Sequence, residues 1–60
     1  MKTKYIIATC EGYTLRDLDD NVNAVLREGV QMEVVNVSVS SYVMDGDVKF
    51  IATILQKYEE

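Results

Sequence analysis

Histidine, proline and tryptophan are absent from this 60-residue chain, and cysteine occurs once. A lone cysteine cannot form an internal disulfide, and without histidine it cannot supply the ligands of a zinc site within one chain. Catalysis by a histidine base is excluded in the same way. Cys10 is therefore expected to be a reduced, small, semi-apolar residue, because no histidine is present to activate its thiol.

The charge balance is acidic, with 10 acidic and 6 basic residues and a formal charge of -4. Nucleic-acid binding needs clustered Lys and Arg, and here the basic residues are scattered along the chain. No apolar run approaches the roughly 20 residues of a membrane span, and none of signal-peptide length follows Lys2 and Lys4. We therefore expect a cytoplasmic protein with one domain, residues 1–60, and with no nucleic-acid or membrane partner.

An amphipathic helix is predicted over residues 15–28. Its apolar residues recur at intervals of three and four, which forms one buried stripe: Leu15, Leu18, Val22, Val25 and Leu26. Thr14 is a suitable N-cap, and Gly29 fits the position that ends a helix. The carboxylates of Asp17, Asp19 and Asp20 match the helix dipole, so we interpret them as surface charge and not as a cation site.

Three strands are predicted around this helix, over residues 3–10, 32–43 and 47–58. They are rich in β-branched and aromatic side chains. Asp45-Gly46 between the last two is typical of a two-residue hairpin turn of the primed type. Gly12 lies in the connection that leads to the helix, where it is free to adopt a positive φ.

The hairpin turn fixes a register for the last two strands. One face then carries these pairs: Val43 with Val48, Ser41 with Phe50, Val39 with Ala52, and Val37 with Ile54. This face is apolar enough to receive the helix. The opposite face carries these pairs: Tyr42 with Lys49, Ser40 with Ile51, Ser38 with Thr53, Asn36 with Leu55, and Val34 with Lys57.

The element order β-α-β-β predicts the fold class. The helix is a crossover between two strands that run in parallel, and the near-continuous apolar run of the third strand is typical of a central strand. We therefore expect strand order 1-3-2. The predicted fold is an α+β two-layer sandwich, a three-stranded antiparallel sheet with one helix on one face.

The sheet face opposite the helix is the candidate site, because a monomer should carry a polar surface there. Apolar and short polar side chains alternate on it instead, which is typical of an oligomer or ligand interface. Its residues are Met32, Val34, Asn36, Ser38, Ser40, Tyr42, Ile51, Thr53 and Leu55. Tyr5 with Ile7, or Ile6 with Ala8, would extend it. We expect a homo-oligomer that uses this face, a strand edge or both, and a monomer is the alternative.

No catalytic set accompanies this face. A Ser40–Lys49 pair is possible on paper, but nothing in the sequence desolvates the lysine or supplies an oxyanion hole. The glycines stand at element ends and form no phosphate-binding loop. The sequence therefore predicts no enzyme activity, no cofactor and no metal site.

The chain resembles two groups of small βαββ proteins. It is similar to very small sporulation proteins of Gram-positive bacteria and their phages in the helix segment 17–23, in Val37-Ser38-Val39-Ser40-Ser41 and in Lys57-Tyr58-Glu59. This resemblance covers most of the chain and implies no enzyme activity. Very small acidic proteins of this class are often encoded by phages or mobile elements and act as inhibitors or ligand-sequestering proteins of host systems.

The second resemblance is to dodecin, a flavin-storing dodecamer. It covers roughly the C-terminal half and lies in Glu33-Val34-Val35, Asp45-Gly46-Asp47-Val48 and Glu59-Glu60. The tryptophan and glutamine that contact flavin in dodecins correspond to Gln31 and Ala52 here. We expect a homo-oligomeric binding module that inhibits a host protein or sequesters a small ligand, and a dodecin-like store for flavin or another small ligand is the alternative.

Overall fold

The computed structural model describes residues 2–60, which form three strands and a helix in the order β-α-β-β. The elements are β1 (Thr3–Gly12), α1 (Leu15–Glu28), β2 (Glu33–Met44) and β3 (Asp47–Glu59). The sheet is antiparallel with strand order β1-β3-β2, and α1 packs on one of its faces. The predicted α+β fold, strand order and helix bounds are confirmed, and strand ends differ from prediction by a residue or two.

The helix begins and ends where its capping residues stand. The Thr14 side chain accepts a hydrogen bond from the Asp17 backbone N–H at 3.1 Å, as expected of an N-cap. Gly29 ends the helix with its N–H donating to the Val25 carbonyl at 3.0 Å. Its φ is -99°, so the helix ends without a left-handed residue.

The Asp45-Gly46 turn sets the register of the hairpin. Both residues have positive φ, 52° and 83°, which is the primed geometry that joins two twisted strands. The predicted register then holds from Met44 opposite Asp47 back to Asn36 opposite Leu55.

A bulge between Val34 and Asn36 changes the register at the start of β2. It adds one residue to β2, so every side chain before it changes face. Val34 is therefore opposite Gln56 and Glu33 is opposite Lys57, where the sequence predicted Val34 opposite Lys57. The placement of Val34 on the face opposite the helix is wrong.

Met32 is also misplaced by the sequence prediction. It precedes β2, and its sulfur lies 3.5 Å from where a Cβ on Gly29 would stand. It therefore lies beside the end of α1 and not on the opposite sheet face.

The core lies between α1 and the strands β1 and β3. Its buried residues are Cys10, Leu18, Ala52 and Ile54, with Val22, Val25 and Leu26 of α1 packed against them. The Cys10 thiol donates to the Asn21 carbonyl at 3.8 Å, and the Asn21 side-chain amide donates to the Glu11 carbonyl at 2.7 Å. Leu15, predicted to lie on the buried stripe, is in the first turn of α1 and is 57% exposed.

The helix packs over β1 and β3 and leaves β2 largely uncovered. Among the described residues, no Cα of α1 lies within 8 Å of a Cα of β2. Val37, Val39 and Val43 face the helix side of the sheet and are 43%, 58% and 70% exposed. We call these residues the valine strip. The sequence predicted that the helix would cover them, and that prediction is wrong.

Gln56 is a polar residue in this apolar layer. It is 3% exposed, and its amide nitrogen has no hydrogen-bond partner among residues 2–60. A buried donor without a partner costs about 1–3 kcal/mol. The stability gained from the small core is reduced by that amount.

Gly12 brings β1 and α1 into close approach. A Cβ on Gly12 would stand 2.7 Å from the Leu18 backbone nitrogen, closer than atoms can pack. Its φ is not positive, so the left-handed freedom of glycine is not used at this position. Glycine is required here by space and not by backbone conformation.

Gly12→Ala should therefore destabilise the fold by roughly 1–3 kcal/mol, because the helix backbone must move away from β1. Urea unfolding followed by circular dichroism measures this loss. Gly29→Ala is the matched control, since its Cβ would meet the flexible end of Gln56 at 3.0 Å and should cost less. Equal losses for the two variants would contradict the packing role of Gly12.

Candidate functional site

The sheet face opposite α1 is called the open face. Pairing of β3 with both neighbours places side chains in rows across it. The rows are Glu11–Ile51–Ser40, Thr9–Thr53–Ser38, Ile7–Leu55–Asn36 and Tyr5–Lys57–Glu33. Apart from Glu11, the first three rows carry no charge, and we call their other residues the uncharged centre.

A lysine–glutamate pair lies at each end of the uncharged centre. The Lys49 ammonium is 2.8 Å from a Glu11 carboxylate oxygen, and the Lys57 ammonium is 2.9 Å from one on Glu33. The Lys49 ammonium also lies 5.2 Å from the centroid of the Tyr13 ring, within the range of a cation–π contact. The open face is thus neutral in the middle and its lysines are neutralised at the ends.

Lys49 is held in its charged form. The hydrogen bond from its ammonium to Glu11 raises its pKa above the ordinary value, against a smaller opposing effect of burial. The hydrogen bond to Glu33 raises the pKa of Lys57 in the same way. A general base needs a lowered lysine pKa, so this arrangement does not favour Lys49 as a base for Ser40.

Most of the sequence-predicted site residues meet on the open face. The structure brings together Asn36, Ser38, Ser40, Tyr42, Ile51, Thr53 and Leu55. Met32 and Val34 lie on the helix side, for the reasons given above. Of the alternatives left for the first strand, Tyr5 and Ile7 extend the face, since Ile7 is opposite Leu55 and Tyr5 opposite Lys57.

Sequence reasoning missed the charged ends of this face. Glu33 is opposite Lys57 because of the bulge, which the apolar pattern does not reveal. The sequence predicts a first strand that ends at Cys10, which leaves Glu11 in the following connection. In the structure the strand continues through Gly12, and Glu11 lies opposite Ile51, two residues along β3 from Lys49.

A cleft of about 430 Å³ opens beside the Glu11–Lys49 pair. It lies between the end of β1 and the first turns of α1, and it is lined by Glu11, Gly12, Tyr13, Asp17, Asp20, Asn21 and Lys49. Glu11 already binds Lys49, which leaves Asp17 and Asp20 as the exposed acidic groups of the cleft.

Within residues 2–60, no group of three or more histidine, cysteine or acidic side chains is arranged to hold a metal ion.

Comparison with known proteins gives no match: no protein-family model, no curated protein and no solved structure matches this chain. Within residues 2–60, no helix is long and apolar enough to span a membrane.

The Glu11 contact predicts a change in the titration of Lys49. Glu11→Gln should lower the Lys49 pKa toward its ordinary value and leave that of Lys57 raised, because Lys57 pairs with Glu33. NMR titration of the lysine side chains measures both values, and Glu33→Gln is the matched control with the opposite pattern. An unchanged Lys49 pKa in Glu11→Gln would contradict the pairing.

The sign of the linked stability follows from the raised pKa. Stabilisation by the Glu11–Lys49 pair is present in full below the unfolded lysine pKa of about 10.4 and is lost as pH rises through the folded value. The stability difference between the natural protein and Glu11→Gln should therefore shrink above about pH 10.4.

Proposed function

We propose that this protein is a non-enzymatic homo-oligomeric binding module. The observation that carries the proposal is its excess of exposed surface. The chain exposes 4575 Å². A monomer of 6.8 kDa is expected to expose about 3,950 Å² from the scaling of surface with mass. The excess of about 600 Å² approaches the roughly 800 Å² that each partner loses in a standard interface.

The shape of the molecule accounts for this excess. Its principal extents are 47 × 17 × 13 Å, and its radius of gyration is 13.1 Å. A compact chain of this length has a radius of gyration of about 10 Å. The sheet is elongated, and the helix covers only part of one of its faces. This shape is better explained by a subunit of an oligomer than by a stable monomer.

The chemistry of the exposed residues supports binding over catalysis. The uncharged centre of the open face and the valine strip offer apolar and hydroxyl-bearing contacts, which suit a protein surface or a small ligand. Cys10 is buried and Lys49 is held protonated, so neither is favoured as a nucleophile or base. By analogy with very small acidic proteins of phages and mobile elements, which act as inhibitors or ligand-sequestering proteins, the further partner is a host protein or a small ligand.

Native mass spectrometry of the purified protein tests this proposal. We expect a mass that is a multiple of 6.8 kDa. The assembly should persist in about 1 M salt, since screening weakens charge-driven contacts and not apolar ones. A mass of one chain at every concentration up to about 100 μM would contradict the proposal, because self-association would then have a dissociation constant above about 100 μM.

The same measurement tests the ligand. If extra mass accompanies the oligomer, Ile7→Asp in the uncharged centre should remove it, while Asn23→Asp on the exposed side of α1 should retain it. The two substitutions change the charge equally, and Ile7 is 67% exposed. A yellow protein, or quenching of added riboflavin fluorescence, would support the dodecin-like alternative instead.

A further inference from the structure

The edge strand β2 lacks the features that keep sheet edges from pairing. Natural edge strands are protected by charged side chains, proline or cover from another element. From Val34 to Met44 this strand has no charged residue and no proline. Its bulge lies at the start, between Val34 and Asn36, so the rest of the edge is regular.

The outward-facing main-chain groups of β2 follow from the hairpin. A two-residue turn closes on a hydrogen-bonded pair, here Met44 with Asp47, and such pairs alternate along antiparallel strands. The even-numbered residues from Asn36 to Met44 therefore bond to β3. The odd-numbered residues direct their N–H and C=O groups away from the sheet, and these are Val37, Val39, Ser41 and Val43.

The same stretch carries the valine strip. Val37, Val39 and Val43 place exposed side chains on the helix side, where no described Cα of α1 comes within 8 Å of a Cα of β2. Unpaired main-chain groups and uncovered apolar side chains thus belong to the same residues. One occupant that pairs with the edge would satisfy both.

We propose that this occupant is a second copy of the chain, paired antiparallel along β2 about a two-fold axis at Ser40. Val37 then lies opposite the second copy's Val43, and Val39 lies opposite the second copy's Ser41. About eight main-chain hydrogen bonds form, using every outward-facing group of the regular stretch. The two helices lie on the same face of one continuous sheet, with both valine strips between them.

The regular length of the edge selects this register. An axis at Ser40 pairs all four outward-facing residues of the regular stretch, Val37 to Val43. An axis at Val39 would set Val43 opposite the bulge, and an axis at Ser41 would set Val37 opposite the hairpin turn, so that either register would form about six main-chain hydrogen bonds in place of about eight.

Symmetry then limits the assembly. Pairing of β2 with β2 uses the same surface on both copies, so this contact closes with two chains. Pairing of β2 with β1 would be head-to-tail and would extend into a filament. The inference rests on the proposed function, since it names the surface by which the oligomer forms and leaves the open face free for a further partner.

Val39→Lys tests the edge, because it puts a charge in the middle of the contact without touching the core. Analytical ultracentrifugation should show a dimer for the natural chain and a dissociation constant at least about tenfold higher for Val39→Lys. Val48→Lys is the matched control: it lies on the same face, is 47% exposed and sits in the central strand β3. Its dimer should persist.

Ser40→Cys tests the register. On the axis, the two residues form a non-hydrogen-bonded pair with Cα atoms about 4.5 Å apart, within the range of a disulfide. Mild oxidation should crosslink this variant into a covalent dimer. Ser38→Cys is the matched control, since its copies stand about 13 Å apart. The natural chain should not crosslink, because Cys10 is 6% exposed.

The outcomes separate this inference from the proposed function. A dimer that Val39→Lys leaves intact would overturn pairing through β2 while the homo-oligomeric module stands. Crosslinking of Ser38→Cys in place of Ser40→Cys would overturn the register. Filaments of natural chain would overturn the closed two-fold contact, and a monomer at all concentrations would overturn both proposals. Circular dichroism confirms that each variant is folded before it is compared.

Discussion

The size of the helix relative to the sheet is the constraint on which the rest of this structure depends. Fourteen residues of α1 make a helix about 21 Å long and about 10 Å wide. The 13 residues of β3 extend over about 43 Å. The helix therefore covers the part of β1 and β3 around Cys10, Ala52 and Ile54, and β2 stays bare on that side. The core, the valine strip and the exposed edge all follow from this mismatch.

Local sequence determined the parts of the fold that depend on a few neighbouring residues. Thr14 and Gly29 set the helix ends, and Asp45-Gly46 set a turn from which the hairpin register could be counted. The open face was predicted correctly from Asn36 to Tyr42 for this reason. The turn is specified by two residues, and the register that it sets continues along the two strands until the bulge interrupts their regular pairing.

The bulge could not be predicted because the sequence around it is degenerate. Val34 and Val35 are both apolar, so either can face the helix side without loss of apolar burial. The choice depends on how the segment between Gly29 and β2 packs beside the end of α1, where the Met32 and Gln56 side chains lie close to Gly29, and this is a tertiary contact. The exposure of Val37, Val39 and Val43 could have been anticipated from element lengths, since a helix of this size covers less than the hairpin offers. The requirement for glycine at position 12 likewise depends on how closely α1 approaches β1, and no local sequence pattern indicates that distance.

Completion of the β2 edge by a second copy is tested most directly by amide hydrogen exchange. NMR would follow the N–H groups of Val37, Val39, Ser41 and Val43 over a range of protein concentrations. The account predicts that their protection rises with concentration, whereas Ser38 and Ser40, which bond to β3, are protected throughout. Exchange of the outward-facing groups at unprotected rates at every concentration would contradict it.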